Sequence, residues 1–125
     1  MFTHMVVGTN DVSKATSFYD AIMGVLGASR VMTTDSRAVY RGPSGTFIVT
    51  KPIDGNPASF ANGGTIGFAA NDDAAVDAWH SAGLAAGGKC DGEPGPRANA
   101  PGNARGAYLR DPDGNKLCAF HMPQH

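Results

Sequence analysis

The sequence predicts an α+β protein made of two similar modules, because one pattern of residues occurs twice. Residues 4–28 align with residues 65–89 without a gap, at an offset of 61 positions. In this alignment Thr9-Asn10-Asp11 falls on Ala70-Asn71-Asp72. Each copy starts with a short apolar strand, continues into a capped helix and is followed by further strands, so the repeated unit is a structural one. Two cupped half-sheets placed side by side would enclose a cavity that neither forms alone.

Length and composition predict one domain, with a first module of about residues 1–60 and a second of about 61–125. A chain of 125 residues with 42% apolar content is ordinary for a single globular domain. The formal net charge of −1 and the scattered Lys and Arg residues leave no basic stripe, so nucleic acid is not expected as a partner. Cys90 and Cys118 are too few for a disulfide framework and are predicted to be free thiols.

Neither a membrane nor secretion is indicated. No apolar run approaches the ~18 residues that a spanning helix needs. The first residues lack the charged and long apolar regions of a signal peptide. We therefore expect no membrane partner and a cytoplasmic location.

The first helix is predicted from apolar residues that recur at three- and four-residue spacing. This spacing places one set of side chains on a buried face: Val12, Ala15, Phe18, Tyr19, Ile22 and Val25. Asp11 or Ser13 can cap the start of the helix, and Gly24 and Gly27 end it.

The second helix has a weaker pattern and is predicted between Asn71-Asp72 and Gly87-Gly88. Trp79 takes the place of a core phenylalanine in the repeat, so we expect it in the core. His80 takes the place of a tyrosine and is expected to be a half-buried helix residue.

The strand before each helix alternates large and small side chains, as a half-buried strand does. The large residues are expected to pack under the helices: Met5, Val7, Ile66 and Phe68. The opposite faces carry mostly small residues and leave room for a ligand: His4, Val6, Gly8, Thr65, Gly67 and Ala69.

A hairpin turn is predicted at residues 110–116, where proline fixes one dihedral angle and glycine supplies a positive φ. It joins a strand ending at Arg110 to one running from Asn115 to about His121. If alternate residues pack under the helices, then Tyr108, Cys118 and Phe120 face the cavity and His121 faces away from it.

Two segments are predicted to be loops. Pro52 to Gly64 has the composition of a surface linker between the modules. Asp91 to Ala104 is predicted to be a 14-residue loop rich in Gly and Pro. Arg97 is its one charged residue after Glu93, so we expect it to reach over the cavity toward an anionic ligand.

These features together resemble the vicinal-oxygen-chelate superfamily, which contains glyoxalase I, bleomycin-resistance proteins, fosfomycin-resistance enzymes and extradiol dioxygenases. The matching features are a strand opening with His4, Asn10-Asp11 before a helix carrying Phe18-Tyr19, a second such unit, and the closing hairpin at residues 111–116. The resemblance implies two paired βαβββ modules that form a cupped mixed β-sheet. It also implies a homodimer and, in the metalloenzymes, a divalent cation held in the cup.

The ligand positions of those metalloenzymes fall on residues that are mostly not metal ligands. His4 is present, but Thr65 and Cys118 stand where a histidine and a glutamate are expected, and the fourth position lies among Ile48, Val49 and Thr50, where Val49 aligns. A metal site needs three or four donors. The resemblance therefore predicts a protein that binds a small organic molecule with a degraded metal site and no cofactor. A divalent-metal-dependent glyoxalase-like lyase or isomerase, or a dioxygenase, is the alternative. An unusual metal held by His4, Cys118 and atoms of the ligand is also compatible with these residues.

A thiol-dependent enzyme that uses Cys118 is a second alternative. If His4 touches Cys118, its imidazole could lower the thiol pKa, which makes these two the catalytic candidates. Otherwise His4 is a wall residue, Cys118 is a small apolar one, and Cys90 is a structural or surface thiol. Tyr108 either stacks on a ligand with an anionic or polar head and a flat apolar body, or fills the cavity with its own ring. The predicted ligand-binding set is His4, Val49, Thr65, Arg97, Tyr108 and Cys118.

Overall fold

A computed structural model describes residues 1–122 of the chain, so the terminal His125 lies outside the described residues. Along this part of the chain two helices and eight strands follow one another in the order of two βαβββ units. The elements are β1 (His4–Gly8), α1 (Val12–Val25), β2 (Ser29–Thr33), β3 (Arg37–Gly42), β4 (Gly45–Thr50), β5 (Ile66–Ala69), α2 (Asp73–Ala85), β6 (Lys89–Pro96), β7 (Arg105–Arg110) and β8 (Lys116–His121), with a short 3₁₀ turn at Pro101–Asn103.

The strands form two mixed sheets of four strands, one for each module. Their orders are β1-β4-β3-β2 and β5-β8-β7-β6. In each sheet the first strand pairs in parallel with the last, and the other pairs are antiparallel. The predicted α+β fold of paired βαβββ modules is confirmed. The hydrogen bonding divides the expected cupped sheet in two, because within residues 1–122 no ladder joins β1 to β5.

Both helices begin and end where the sequence predicts. The Asp11 carboxylate accepts a hydrogen bond from the Lys14 amide at 3.0 Å, and Asp72 caps α2 in the same way. Gly27 and Gly87 follow the helices with φ of 78° and 100°, a conformation that favours glycine. Within the described residues, neither helix is long and apolar enough to cross a membrane.

The core lies between the helices and the inner faces of the two sheets. Its largest side chains are aromatic and have almost no exposed surface: Phe18, Tyr19, Tyr40 and Trp79. The large residues of β1 and β5 pack against this core as predicted. His80 is more deeply buried than expected, with 3% of its surface exposed.

The two helices pack closely because α2 carries glycine where it meets α1. A Cβ at Gly83 would overlap Leu109 Cδ1 and would lie 3.2 Å from Ile22 Cγ2 and 3.4 Å from Phe18 Cε1. All three neighbours are fully buried and have little room to move. Position 83 therefore joins α1, α2 and β7 in one contact.

We expect Gly83→Ala to lower the free energy of unfolding by about 1–3 kcal/mol through overpacking, although alanine is the better helix former. Gly24 in α1 is the matched control, since it is exposed and a Cβ there meets nothing within 4 Å. Gly24→Ala should raise the free energy of unfolding by up to about 1 kcal/mol. Urea unfolding of both variants measures the difference, and stabilisation by both would contradict the close helix contact.

The predicted loop from Asp91 to Ala104 is shorter than expected, because β6 continues through Pro96. Among the strands of residues 1–122 it lies at the edge of its sheet and pairs with β7 alone, and prolines are tolerated in such edge strands. Its register shifts between Cys90 and Gly92 and again between Gly92 and Gly95. Glycine and proline thus mark an irregular edge strand here and not a free loop.

A buried carboxylate organises the turn between β7 and β8. Asp111 is 4% exposed and accepts four hydrogen bonds, from the Tyr19 hydroxyl at 2.5 Å, the Asp113 amide at 2.9 Å, and the Asn115 amide and side chain at 2.8 Å each. Tyr19 belongs to α1, so this bond crosses from the second module to the first. We call residues 111–115 the inter-module turn.

Two further bonds join the inter-module turn to the end of β1. Asn115 Nδ2 donates to the Gly8 carbonyl at 2.9 Å, and Asp113 accepts from the Asn10 amide at 2.9 Å. The corresponding turn of the first module is only Pro43-Ser44 and has no carboxylate. A depression of about 170 Å³ lies there, between the β3–β4 turn and β5.

Candidate functional site

The second sheet presents a face on the side away from the helices, which we call the cup face. Tyr108 pairs with Cys118, and Cys118 pairs with Gly67. The alternate residues Leu109 and Leu117 are fully buried in the core. The predicted orientation of Tyr108 and Cys118 is confirmed by this alternation.

An open groove of about 880 Å³ lies along β5 and β8, within the range typical of small-molecule sites. Cys118 and Phe120 line it from the cup face, whereas Phe68 and His121 line it from the helix side, where His121 bonds Asp73. Its lining mixes apolar and polar groups and consists of Gly67, Phe68, Ala69, Ala70, Asn71, Cys118, Phe120, His121 and Met122. A Cβ at Gly106 would overlap the Phe120 ring, and one at Gly67 would lie 3.3 Å from Cys118 Sγ. Glycine at these two positions lets the Phe120 ring and the Cys118 thiol lie close to the sheet.

Aromatic and cationic side chains continue from the groove toward β6. The Phe120 ring meets the Tyr108 ring edge-on, with centroids 6.0 Å apart. Arg97 lies over Tyr108, with Cζ 5.6 Å from the ring centroid, and Lys116 Nζ lies 5.2 Å from the same centroid. The Arg97 guanidinium donates to the carbonyls of Gly95 at 3.0 Å and Glu93 at 2.7 Å, which fixes it in this place.

The rim beside Tyr108 has an excess of positive charge. Asp91 accepts from Arg110 Nε at 3.0 Å and lies 4.0 Å from Lys116 Nζ. Arg110 and Lys116 therefore share one carboxylate, and Arg97 adds a third cation beside the same Tyr108 ring. Arg97 uses two of its five N–H groups on backbone carbonyls, so further donors remain for an anion.

Cys118 lies in the floor of the groove as a protonated thiol. Burial raises the pKa of this thiol, and nearby Lys116 lowers it by less. His4 is exposed in the other sheet, where its Nδ1 bonds to Thr3 Oγ1 at 2.8 Å. No hydrogen bond joins His4 to Cys118 among residues 1–122, so the structure does not assemble the imidazole–thiol pair.

The predicted ligand-binding set is brought together only in part. Arg97, Tyr108 and Cys118 share the cup face, whereas Thr65 is exposed just before β5 and His4 lies in the other sheet.

The expected placement of Val49 in the cup is corrected by the strand register. Val49 is fully buried in the core on the helix side. Val6 and Gly67 occupy equivalent positions in the repeat. Val6 pairs with Ile48 and Gly67 pairs with Cys118, so Ile48 is the true counterpart of Cys118. The first hairpin turn spans two residues and the second spans five, so alignment on the turn glycines slips by one residue. Such a slip reverses the face of the strand.

The residues at the family's metal positions do not fit a divalent cation. Ile48 has no donor atom, Thr65 offers only a hydroxyl, and Cys118 is held as a thiol by burial. His4 is the one ordinary ligand in the set. Three or four donors are needed, so we assign no metal-dependent step to the cup.

A second group of polar side chains, on the opposite side of the sheet, was not found from the sequence. His80 Nε2 lies 3.2 Å from Cys90 Sγ, and this thiol donates to Glu93 Oε1 at 3.4 Å. A regular strand would place Cys90 and Glu93 on opposite faces. The one available signal was the glycine and proline content of residues 91–96, which can mark a bulged strand.

The fold and the glycine-lined cup define a class of protein with paired βαβββ modules, and comparison with known proteins identifies the family. The model of the Glyoxalase/Bleomycin resistance protein/Dioxygenase superfamily matches residues 2–119. The chain therefore belongs to this superfamily.

Solved structures of relatives agree with this assignment. The chain is 50% identical to a glyoxalase/bleomycin resistance protein from Albidiferax ferrireducens T118, with a TM-score of 0.89 over 98% of this chain and 99% of that one. A lactoylglutathione lyase from Agrobacterium tumefaciens (20% identity, TM-score 0.70, covering 97% and 92%) shares the fold. A glyoxalase-related enzyme from Fulvimarina pelagi also shares the fold, with 15% identity and a TM-score of 0.79 over 98% of this chain and 88% of that one. No curated protein matches the chain.

Proposed function

We propose that this protein binds a small organic anion with a flat apolar body on the cup face of its second module, without a metal in the cup. The observation that carries the proposal is the continuous row from the groove through Phe120 and Tyr108 to Arg97. An apolar floor with a few polar groups at one end is typical of small-molecule sites. The excess cationic charge at that end favours a carboxylate or similar group.

The contacts also suggest how the ligand would lie. Its flat body would occupy the groove against the Phe120 ring, and its charged end would accept hydrogen bonds from the free N–H groups of Arg97. Lys116, whose Nζ lies 5.2 Å from the Tyr108 centroid, would add a second cation beside the same ring. Because backbone carbonyls already hold the guanidinium, little side-chain entropy would be lost on binding.

Neither enzymatic alternative is supported by the contacts found among residues 1–122. Glyoxalase-like or dioxygenase chemistry would require cation ligands at positions occupied by Ile48 and Thr65. Catalysis by Cys118 would require a base beside a thiol that burial keeps protonated. The homodimer and the cytoplasmic location remain predictions.

Naphthalene-2-carboxylate and naphthalene-2-methanol test the proposal, because they share a flat body and differ in charge. We expect the carboxylate to shift the backbone amide NMR signals of Gly67, Cys118 and Phe120. Arg97→Gln should weaken carboxylate binding by about 1.5–3 kcal/mol, roughly 10- to 150-fold, through loss of a charge-assisted hydrogen bond. Binding of the alcohol should change little.

Lys51→Gln is the matched control, since Lys51 is an exposed cation in the first module. It should leave both affinities unchanged. The proposal fails if the carboxylate shifts signals around the 170 Å³ depression and not in the groove. It also fails if the alcohol binds as tightly as the carboxylate.

A further inference from the structure

We propose that His80, Cys90 and Glu93 form a binding site for Zn²⁺ or a similar divalent cation, on the side of the second sheet that faces α2. The imidazole nitrogen, the sulfur and a carboxylate oxygen all lie within 4.8 Å of one another. The site is separate from the cup, because Cys90 pairs with the core residue Leu109 while Tyr108 faces the groove.

A bulge in β6 brings the thiol and the carboxylate to one face. Cys90 pairs with Leu109, but Gly92 pairs with Tyr108, so β6 has one extra residue over this step. Asp91 occupies that extra position, and its carboxylate accepts a hydrogen bond from Arg110. Glu93 therefore lies on the same side as Cys90, three residues away, where a regular strand would separate them.

The spacing of the donor atoms suits a tetrahedral zinc ion. With Zn–S near 2.3 Å and Zn–N near 2.0–2.1 Å, two ligand atoms in tetrahedral geometry are about 3.5 Å apart. The distances here are 3.2 Å from His80 Nε2 to Cys90 Sγ and 3.4 Å from Cys90 Sγ to Glu93 Oε1. The third pair, His80 Nε2 and the Glu93 oxygen, lies within 4.8 Å, so these two atoms would close toward the tetrahedral spacing when an ion binds.

The donor types favour zinc over the harder cations. Thiolate and imidazole suit zinc, whereas magnesium and calcium prefer oxygen ligands alone. His80 is 3% exposed and held by α2, while Cys90 and Glu93 are exposed on the edge strand. One ligand is thus rigid, and an ion can reach the site from solvent, with its fourth position open to water.

Charge is balanced when the ion binds. The metal replaces the proton of the Cys90 thiol, and that proton passes to water. His80 binds through the lone pair of Nε2 and keeps its ring proton on Nδ1. The thiolate and the Glu93 carboxylate together neutralise the two charges of the cation.

Titration of the metal-free full chain with Co²⁺, followed by competition with Zn²⁺, tests the site. A sulfur-to-cobalt charge-transfer band should appear at one equivalent of Co²⁺ and disappear when Zn²⁺ is added. Cys90→Ser should abolish the band, and Glu93→Gln should weaken Zn²⁺ binding at least about 10-fold, since loss of even an outer-shell partner costs 10- to 100-fold. The His80 ring signals in NMR should shift on addition of Zn²⁺.

Two matched variants distinguish metal binding at this site from binding in the cup and from attraction to surface charge in general. Cys118→Ser removes the other thiol, and Asp91→Asn removes the acid next to Cys90, which bonds Arg110 on the opposite face. Both should bind Zn²⁺ as the unmodified protein does. A band that survives Cys90→Ser, or that Cys118→Ser abolishes, would overturn the assignment. So would a Glu93→Gln variant with unchanged affinity, or an unmodified protein that gives no band.

Discussion

Asp111→Ala is expected to lower the free energy of unfolding by about 3–5 kcal/mol. The Asp111 carboxylate is the common acceptor for the Tyr19 hydroxyl, the backbone amides of Asp113 and Asn115, and the Asn115 side chain. Each buried donor left without an acceptor costs about 1–3 kcal/mol, and water can reach only some of them. Because Tyr19 lies in the other module, the contact between the modules weakens at the same time. Urea unfolding followed by circular dichroism measures the loss.

Two milder variants show whether the carboxylate itself is responsible. Tyr19→Phe removes one donor and leaves the other three, so a loss of about 1–2 kcal/mol is expected. Asp113→Ala removes an acceptor from the exposed Asn10 amide and should cost less than about 1 kcal/mol. If Asp111→Ala unfolded at the same urea concentration as Asp113→Ala, the central role of Asp111 would be refuted.

Raising the pH from 9 to 11 is expected to remove about 3 kcal/mol of stability through two tyrosines. Burial raises the pKa of Tyr19 well above its ordinary value, and the neighbouring Asp111 carboxylate raises it further. Burial also raises the pKa of Tyr40, as does its hydrogen bond to Asp20. In the unfolded chain both phenols ionise near pH 10.

Stability falls as the pH rises because each phenol keeps its proton in the folded protein and loses it in the unfolded chain. With the pKa raised in the folded state, the stabilisation is fully present below the unfolded pKa of about 10 and is lost as the pH rises above it. Each group then contributes a loss of about 1.4 kcal/mol by pH 11, since one pKa unit corresponds to 1.36 kcal/mol. Together they take away a large share of the 5–15 kcal/mol that is usual for a domain.

Tyr19→Phe and Tyr40→Phe provide the check on this pH dependence. Between pH 10 and 11 the free energy of unfolding of each variant should fall about half as steeply as that of the unmodified protein. This holds whatever the stability of the variant at pH 7. Urea unfolding at closely spaced pH values would measure these slopes. Equal slopes in the variants and the unmodified protein would show that other groups control the alkaline behaviour.

Features encoded by local sequence were predicted well. Asp11 and Asp72 cap the helices, and Gly27 and Gly87 follow them, because capping and positive φ depend on the residue at one position. The burial of Trp79 followed from the repeat, since equivalent positions in two copies face the same core.

Features that depend on strand register were predicted less well. Val49 was placed in the cup because the unequal lengths of the two hairpin turns are not visible from their glycines. The bulges of β6 were likewise hidden, so Cys90 and Glu93 were not expected to share a face. Within the site, Tyr108 and Cys118 were oriented correctly because β7 and β8 alternate regularly.

The inter-module turn makes the two halves of the repeat unequal. At one end of the molecule the second hairpin is fastened to β1 and α1 through Asp111, Asp113 and Asn115. At the pseudo-symmetric end, the short Pro43-Ser44 turn leaves the depression beside β5. The two copies are thus no longer interchangeable, because the second hairpin is bonded to the other module and the first leaves a depression in the corresponding place. Any rocking of one module on the other would pivot about the fastened end and widen the opposite one.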